Sequence, residues 1–394
     1  MSRVRSLFPG AEQQIYLDSG VRGLISVPVR RAIDAYLDAR MMGTGEKDEL
    51  RLHAEGARTA FAALVHGDAA DVALTKNVSE GLNLFAASIP WEPGDNVVLC
   101  PELEHPNNVF LWYNLRLLHD VEVRAIEPDG GRVPSEAMAA AIDERTRLVT
   151  LPHISFAPGF VTDIDPVAEA ARCHGALVLL DAAQSVGAID IDIENLGVDA
   201  LAVATQKCLL AFYGFGFLWV RREVADDLHP RHVARYGVDL GDAHETAIGS
   251  GDLRFQAGAH RFDLGNFNYL GAAAAHASIE LLRSIGMDRI EGHLRALAAR
   301  LATGLAEIGL PVVGAADAPD RAHIVSVGES GGGRHDSADD PAMNDLYEEL
   351  RRNGVRLSIR RGVLRMSLGI YNNDAEVDRV IQIARTWAES RGGP

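Results

Sequence analysis

The sequence predicts an α/β protein with a mainly parallel sheet, followed by a smaller α+β part. Three observations lead there. Between about residues 95 and 220, short apolar runs alternate with helical stretches, the pattern of strands joined by crossover helices. Those runs are continuous rather than alternating, as strands are when helices cover both of their faces. Beyond about residue 270 the pattern shifts to long helices with few strands. The 394 residues, at ~150 per domain, suffice for two or three domains.

The segments NVVLC (96–100), RLVTLPHI (147–154), ALVLLD (176–181), DALAVAT (199–205) and FGFLWV (215–220) read as buried strands. A punctuated helix lies between the second and third. Asp165 is placed to cap it, Pro166 suits its first position, and Gly175 follows its last turn. Residues 271–309 form an Ala/Leu-rich helical region broken around Gly286. A strand at HIVSV (323–327) and a mobile polar loop at 328–340 come next. A helix from Pro341 to about Asn353, ended by Gly354, leads to two short strands in VRLSI and VLRMS, and Asp374 caps a final helix. The strand-like QQIYLD near the start is free to join either part.

Composition narrows the function classes. Apolar residues make up 47% and charged residues 24%, as in a soluble globular protein rather than a disordered or fibrous one. Asp plus Glu number 55 against 38 Lys plus Arg, a net charge of −17. Such a balance repels phosphate backbones and anionic lipid, so neither nucleic acid nor a membrane surface is an expected partner. No run approaches the ~18 apolar residues of a membrane span. The start, MSRVRSLFPGAEQQ, lacks the apolar core of a signal peptide, so the expected location is the cytoplasm. Cys100, Cys173 and Cys208 have no CxxC spacing, which argues against a disulfide scaffold or structural zinc. No metal site is expected, and His229 and His232 read as structural. Only three of the basic residues are lysines: Lys47, Lys76 and Lys207. Chemistry that needs a primary amine therefore has a short list.

Candidate chemistry gathers at strand ends. ALVLLDAAQSVG ends a strand in Asp181, and open α/β sheets bind ligands beyond the carboxyl ends of their strands. A helix N-cap is the other reading of that aspartate. TQKCLL places Lys207 at the end of the next apolar strand, and lysine is rarely buried without a partner or a task. Lys47, in the polar GEKDEL, reads as solvated, whereas Lys76, in LTKNVSEG, stays open. A carboxylate and a lysine on successive strand ends suit pyridoxal 5′-phosphate (PLP). The lysine forms the Schiff base, and the carboxylate keeps the pyridine nitrogen protonated. The phosphate needs a helix N-terminus, which NVSEGLNLFAAS supplies with Ser79 and Glu80 in its first turn. His105, in PELEHPNN at another strand end, is a candidate to stack on the ring.

A family resemblance rests on an ordered set of segments. These are YLDSG (16–20), TKNVSEGLNL (75–84), ELEHPNN (102–108), LLDAAQSVGAIDIDIENLGVDALAVATQK (179–207), YGFGFLWVR (213–221), RFDLGN (261–266) and LRMSLGIYNNDAEVDRVI (364–381). Together they resemble the class-V aminotransferase family of PLP enzymes, which includes cysteine desulfurases, kynureninase-like and isopenicillin N epimerase-like proteins. The resemblance covers essentially the whole chain. It implies the PLP-dependent transferase fold type I: a large domain (21–270) with a mainly parallel seven-stranded sheet, and a smaller α+β domain (1–20 and 271–394). It further implies Lys207 as the Schiff-base lysine, Asp181 as partner of the pyridinium, and Gln184 as a contact of the ring hydroxyl. His105 resembles the stacking residue, Ala183 lies against the opposite ring face, and backbone at Val78 and Ser79 holds the phosphate. Asn266 matches a position that reaches the neighbouring subunit's phosphate, implying a homodimer with a shared active site. Arg365 resembles the arginine that binds the substrate carboxylate, with Arg22 and Arg360 as further candidates.

Departures from the family pattern carry information too. Gln206 stands where His is usual and Ala204 where Ser is common, so phosphate binding is partly rebuilt, with Thr205 or Gln206 as candidates. Phe156 replaces a ring-contacting Asn of desulfurases. Only SIRRGVLRMS separates strand 355–359 from Arg365, where desulfurases insert a loop bearing their nucleophilic cysteine. Cys208 is expected to point away and to serve packing.

The residues therefore imply a PLP-dependent lyase or transferase that takes an amino-acid substrate through an external aldimine, with Lys207 as the base. β-Elimination of the C–S lyase type on a cysteine-derived or related substrate is favoured, because the resemblance is to desulfurases and lyases while the desulfurase cysteine is missing. Aminotransferase, epimerase and decarboxylating deaminase are the alternatives within the family. A nicotinamide oxidoreductase requires a GxGxxG turn, which the chain lacks. A PLP-binding protein without catalysis is opposed by the intact set Lys207, Asp181 and Arg365.

Overall fold

The architecture was obtained as a computed structural model and is described for residues 1–241, 243, 248, 251–333 and 336–391. Residues 334 and 335 of the polar loop at 328–340 lie outside the described residues. In chain order the strands are β1 (Ile15–Tyr16), β2 (Val72–Thr75), β3 (Asn96–Leu99), β4 (Glu122–Ala125), β5 (Thr146–Pro152) and β6 (Leu177–Asp181). They continue as β7 (Ala200–Ala204), β8 (Gly216–Val220), β9 (Ile324–Val327), β10 (Val355–Arg356), β11 (Ser358–Arg360) and β12 (Val363–Ser367).

Seven of these make one sheet in the order β2-β8-β7-β6-β5-β3-β4. Strand β8 runs antiparallel to both of its neighbours, and the remaining pairs are parallel. The five apolar runs of the sequence all appear in it. Strands β2 and β4 were not legible. EVRA in β4 is an edge segment with half of its surface wet, so no apolar run marks it, and VALT in β2 is short and unpunctuated.

Both faces of this sheet are dry. Along β7, Leu201 and Val203 enter one apolar cluster, while Ala200, Ala202 and Ala204 enter the other. Helices Lys47–Leu64, Asp165–His174 and Tyr269–Ile285 cover the first face, where Phe61 stacks on Phe217 with centroids 4.2 Å apart. Helices Val78–Ser88 and Phe110–His119 cover the second. This is why the strands lack alternation.

The C-terminal part has its own antiparallel sheet, β11-β12-β9, and the helices Met287–Glu307, Pro341–Arg352 and Asp374–Ser390. Gly286, at φ 94°, breaks the long helical region where expected. Two helix starts differ from the sequence reading by one residue. Ile164 holds the cap position before Asp165, and Asn373, not Asp374, caps the last helix. Asn373 accepts the Glu376 N–H at 3.0 Å while the Glu376 carboxylate accepts the Asn373 N–H at 3.1 Å. Asn and Asp are equally good caps, so the run NND was ambiguous without that reciprocal bond.

The N-terminus settles against the C-terminal part. β1 pairs with β10, Leu17 N–H donates to Arg356, and Ser367 N–H donates to Leu17. On these pairings we propose a small domain of residues 1–20 and 271–394 and a large one of 21–270.

One ion pair ties three elements beside the sheet edge. Arg58 Nη2 donates to Asp263 Oδ2 at 2.8 Å with both side chains buried, and Asp263 Oδ1 accepts the Leu74 N–H of β2 at 2.8 Å. Arg58 also pairs with Glu55 at 3.0 Å, so it is loss of the arginine that strands a charge, that of Asp263, away from water. Arg58→Ala is expected to lower unfolding free energy by about 3–5 kcal/mol in a denaturant titration, and a loss below about 1 kcal/mol would mean that water solvates Asp263.

Candidate active site

The chemistry sits where β6 and β7 end side by side. Asp181 closes β6, pairs with Ala202 of β7, and its Oδ1 accepts the Ala183 N–H at 2.9 Å. After β7 the chain turns through Thr205–Lys207 and back toward β8, closed by Ala211 N–H to the Thr205 carbonyl at 2.8 Å. That turn aims Lys207 into a cavity of about 410 Å³. Lys207 keeps some exposed surface because it faces this cavity, but protein encloses it on all other sides. Burial pushes its amine below the usual lysine range, and the nearby Asp181 pulls it partly back. For Asp181 the signs reverse: burial raises the carboxyl and Lys207 lowers it. Gly23 supports the lysine turn from below, its N–H donating to Gln206 O at 2.7 Å. A Cβ there would stand 2.6 Å from the Lys207 carbonyl oxygen, so only glycine fits.

One wall is the start of helix Val78–Ser88. Asn77 caps it by accepting the Glu80 N–H at 2.9 Å. The N–H groups of Val78 and Ser79 have no intrahelical acceptor, and both residues line the cavity together with Gln206. Such a cradle suits a phosphate. His105 lines the cavity as well. Its Nδ1 accepts the Asn107 N–H at 3.3 Å, so the ring hydrogen sits on Nε2, and its edge meets Phe156 with centroids 5.5 Å apart. Burial, helped by the charges of Lys207, Arg365 and Arg360, pushes the imidazole down to about 4, so the ring is neutral near pH 7. Gln184 Nε2 donates to Gly20 O at 2.9 Å, which leaves Oε1 buried without a partner at the cavity lining.

The opposite wall comes from the β11–β12 hairpin. Arg365 is 2% exposed, its Nη1 donating to Phe156 O at 2.8 Å and its Nη2 to Ser358 Oγ at 3.2 Å. Asp18 Oδ1 lies 4.0 Å from Nη2, while Nε is buried without a partner. Burial lowers the guanidinium to about 10, which keeps it charged at neutral pH. An arginine held from behind, with an N–H unmatched, is prepared for a carboxylate. Arg360 lines the same cavity nearer its mouth.

The structure thus brings Lys207, Asp181, Ala183, Gln184, His105, Val78, Ser79, Gln206, Arg365 and Arg360 to one cavity. Other candidates lie elsewhere. Thr205 Oγ1 sits 2.7 Å from Phe212 O and 3.1 Å from Phe215 O, so its single hydrogen is committed and it does not line the cavity. Arg22 is exposed and also outside the lining. Asn266 is exposed on its own chain, away from the cavity. Lys76 is exposed and paired with Glu80 at 2.9 Å. Cys208 is buried against His323 Nε2 at 3.5 Å, with its thiol pushed up to about 12, and does not reach the lining. Sequence reasoning missed Asn77, Gly20 and Tyr213 in the lining, and Asp18 behind Arg365. Only the position of Asp18 within YLDSG pointed to it. Among the described residues no cluster of His, Cys, Asp and Glu is arranged to hold a metal ion, and no helix is long and apolar enough to cross a membrane.

These residues fit PLP on their own geometry. There is an amine with a lowered proton affinity beside a buried carboxylate, an anion cradle, a neutral ring for stacking, and an orphaned acceptor for a hydroxyl. Comparison with known proteins agrees. The class-V aminotransferase model matches residues 15–380. A Bacillus subtilis protein named as the uncharacterized aminotransferase YcbU is 31% identical over 378 residues, 96% of this chain and 95% of its own. A probable cysteine desulfurase of Methanothermobacter thermautotrophicus is 33% identical over 296 residues, 74% of this chain and 72% of its own. Among solved structures, the apo cysteine desulfurase of Thermococcus onnurineus superposes with a TM-score of 0.84 at 25% identity, covering 98% of both chains. The cystine C–S lyase C-DES superposes with a TM-score of 0.83 at 21% identity, covering 96% of this chain and 99% of that one, which speaks to the fold. The chain belongs to the class-V aminotransferase family, and it is a PLP-dependent enzyme.

Proposed function

We propose that the protein is a lyase that breaks the C–S bond of a cysteine-derived amino acid by β-elimination. One observation carries the reading: the cavity has the apparatus for an amino acid but no thiol. Where a nucleophile-bearing loop would enter, β11 and β12 are joined by only Arg361 and Gly362, at φ 50° and 82°. Two left-handed residues make the tight hairpin turn that holds both strands in register. Among the described residues Cys100 and Cys208 are buried off the cavity, and Cys173 lies on the exposed side of its helix. That the structural neighbour C-DES is a cystine C–S lyase is compatible with this reading.

The geometry supports the following roles. Arg365 binds the α-carboxylate and orients the substrate. Bound PLP supplies the electron sink that makes negative charge at Cα tolerable. Lys207 Nζ takes the Cα proton, its lowered proton affinity leaving more of the neutral base at pH 7. The sulfur leaves with the C–S electron pair and takes up a proton. Asp181 would present its charge to the ring nitrogen of bound PLP, and neutral His105 and Ala183 would hold the ring between them. The same reading makes the enzyme a cytoplasmic homodimer, with Asn266 extending the phosphate site of the second copy. Its net charge of −17 suits neither nucleic acid nor an anionic membrane as partner.

Assaying the holoenzyme with S-conjugated cysteines and common amino acids tests the reaction. Pyruvate, ammonia and a thiol are expected in equal amounts, whereas a keto acid retaining the whole substrate skeleton would assign transamination. Lys207→Ala is expected to cut turnover by about 10²–10⁴-fold. Borohydride treatment should fix the cofactor to the peptide containing Lys207 in the native chain alone; label on the peptide of Lys76 would refute the assignment. Cys208→Ala should retain most of its turnover, and a loss with unchanged thermal stability would restore a thiol mechanism. Arg365→Lys keeps the charge but loses the planar fork, so kcat/KM should fall about 10- to 100-fold while cofactor absorbance is retained. Unchanged kcat/KM would remove Arg365 from the substrate.

A further inference from the structure

We propose that Arg360 forms a second anion subsite, so that the preferred substrate is an amino acid whose short side chain ends in a carboxylate. The inference rests on the lyase reading for its reaction, but the subsite stands on strand register. Ser358 of β11 is paired with Arg365 of β12, and Arg360 with Val363. Residues two apart on a strand share a face, so Ser358 and Arg360 both face the side on which Arg365 lies. Arg365 confirms that side by donating to Ser358 Oγ. Arg360 and Arg365 are therefore diagonal neighbours, roughly 7–8 Å apart at the backbone, and both line the cavity that holds Lys207.

The two guanidiniums differ in depth. Arg365 is sealed, whereas the Arg360 side chain keeps 25% of its surface exposed, at the mouth. A carboxylate at Cα would engage the inner one, and a side chain growing outward would pass the outer one. Arg360 has reason to accept it. Its contacts with Ile359 O at 2.6 Å and Asp336 Oδ1 at 2.8 Å both use Nη1, and Nη2 and Nε make no bond among the described residues. The Asp336 side chain is 58% exposed, and an ion pair that wet is worth at most about 1 kcal/mol, so an incoming carboxylate can share or displace it.

Charge balance points the same way. In a chain of net charge −17, the cavity lining carries Lys207, Arg360 and Arg365 against Asp181. Of the carboxylates outside the lining, Asp18 stands 4.0 Å behind Arg365, while the exposed Asp336 holds only one nitrogen of Arg360. The cofactor phosphate has its own cradle at Val78, Ser79 and Gln206, on the wall built by the central sheet and its helix, so it does not account for an arginine on the hairpin wall.

The test compares isosteres that differ only in charge: S-carboxymethyl-L-cysteine against S-carbamoylmethyl-L-cysteine, and L-glutamate against L-glutamine. Native holoenzyme is expected to favour the carboxylate by roughly 10- to 100-fold in kcat/KM or in binding, the worth of one charge-assisted hydrogen bond. Arg360→Met should bring that ratio near one, and Arg360→Lys should keep part of it. No preference in the native enzyme, or a preference that survives in Arg360→Met, overturns the proposal. So does a variant that loses PLP rather than discrimination, since Arg360 would then serve the cofactor phosphate. Glutarate, which has no amine to react, separates the two readings. Calorimetric binding of glutarate that depends on Arg360, with no elimination from any S-conjugate, upholds the subsite and rejects the lyase reaction. Elimination without Arg360-dependent glutarate binding does the reverse.

Discussion

The placing of Lys207 and Asp181 on one cavity, near enough for each charge to act on the other, is the constraint on which the rest of the site depends. An amine enclosed by protein is costly in its charged form unless a counter-charge stands nearby, and a fully buried carboxylate has the same need. Each supplies the other's nearby counter-charge because β6 and β7 are adjacent and parallel, so their carboxyl ends open on the same rim. The antiparallel return of β8 adds the tight turn that aims the lysine into the cavity instead of running it along a helix. Charge and topology thus solve one problem together: they keep a nucleophilic amine largely enclosed, oriented and poised.

Around those two residues the cavity is assembled from three stretches of chain that lie far apart in sequence. The central sheet and the helix after β2 supply the lysine, the aspartate and the anion cradle. The hairpin of β11 and β12 supplies the arginines. Residues 15–23 bind the two together, pairing with β10, taking a bond from Ser367, giving one to Gln206, and accepting one from Gln184. This strap also places Asp18 behind Arg365. Any movement of the C-terminal part relative to the sheet would change the distance from the carboxylate-binding arginine to the amine.

Legibility varied with the physical origin of each feature. The apolar runs of β3, β5, β6, β7 and β8 were readable because strands buried on both faces must be apolar throughout. The edge strand β4 was not, since water covers half of it and no pattern is required. Helix ends were readable to within two residues, and the last helix's cap to within one, since Asn and Asp cap equally well. Asp181, Gln184, His105 and Lys207 could be singled out because each polar group follows an apolar run at a strand end. Thr205 and Arg22 looked equally eligible and proved to face elsewhere. Beyond a strand's last hydrogen bond no period dictates direction, and the carbonyls of Phe212 and Phe215 claimed the threonine.

The sequence by itself determined the kind of site: a rare lysine after one buried strand, an acid after its neighbour, and a helix start rich in anion-binding backbone. Those signals are local, because burial and capping act over a few residues. Tertiary structure alone decided the depth order of Arg365 and Arg360, the reach of Asp18 to the arginine, and the sealing of Cys208 against His323. Each of these joins residues more than a hundred positions apart or compares exposure between neighbours. Such relations arise from packing between elements, which no local pattern encodes.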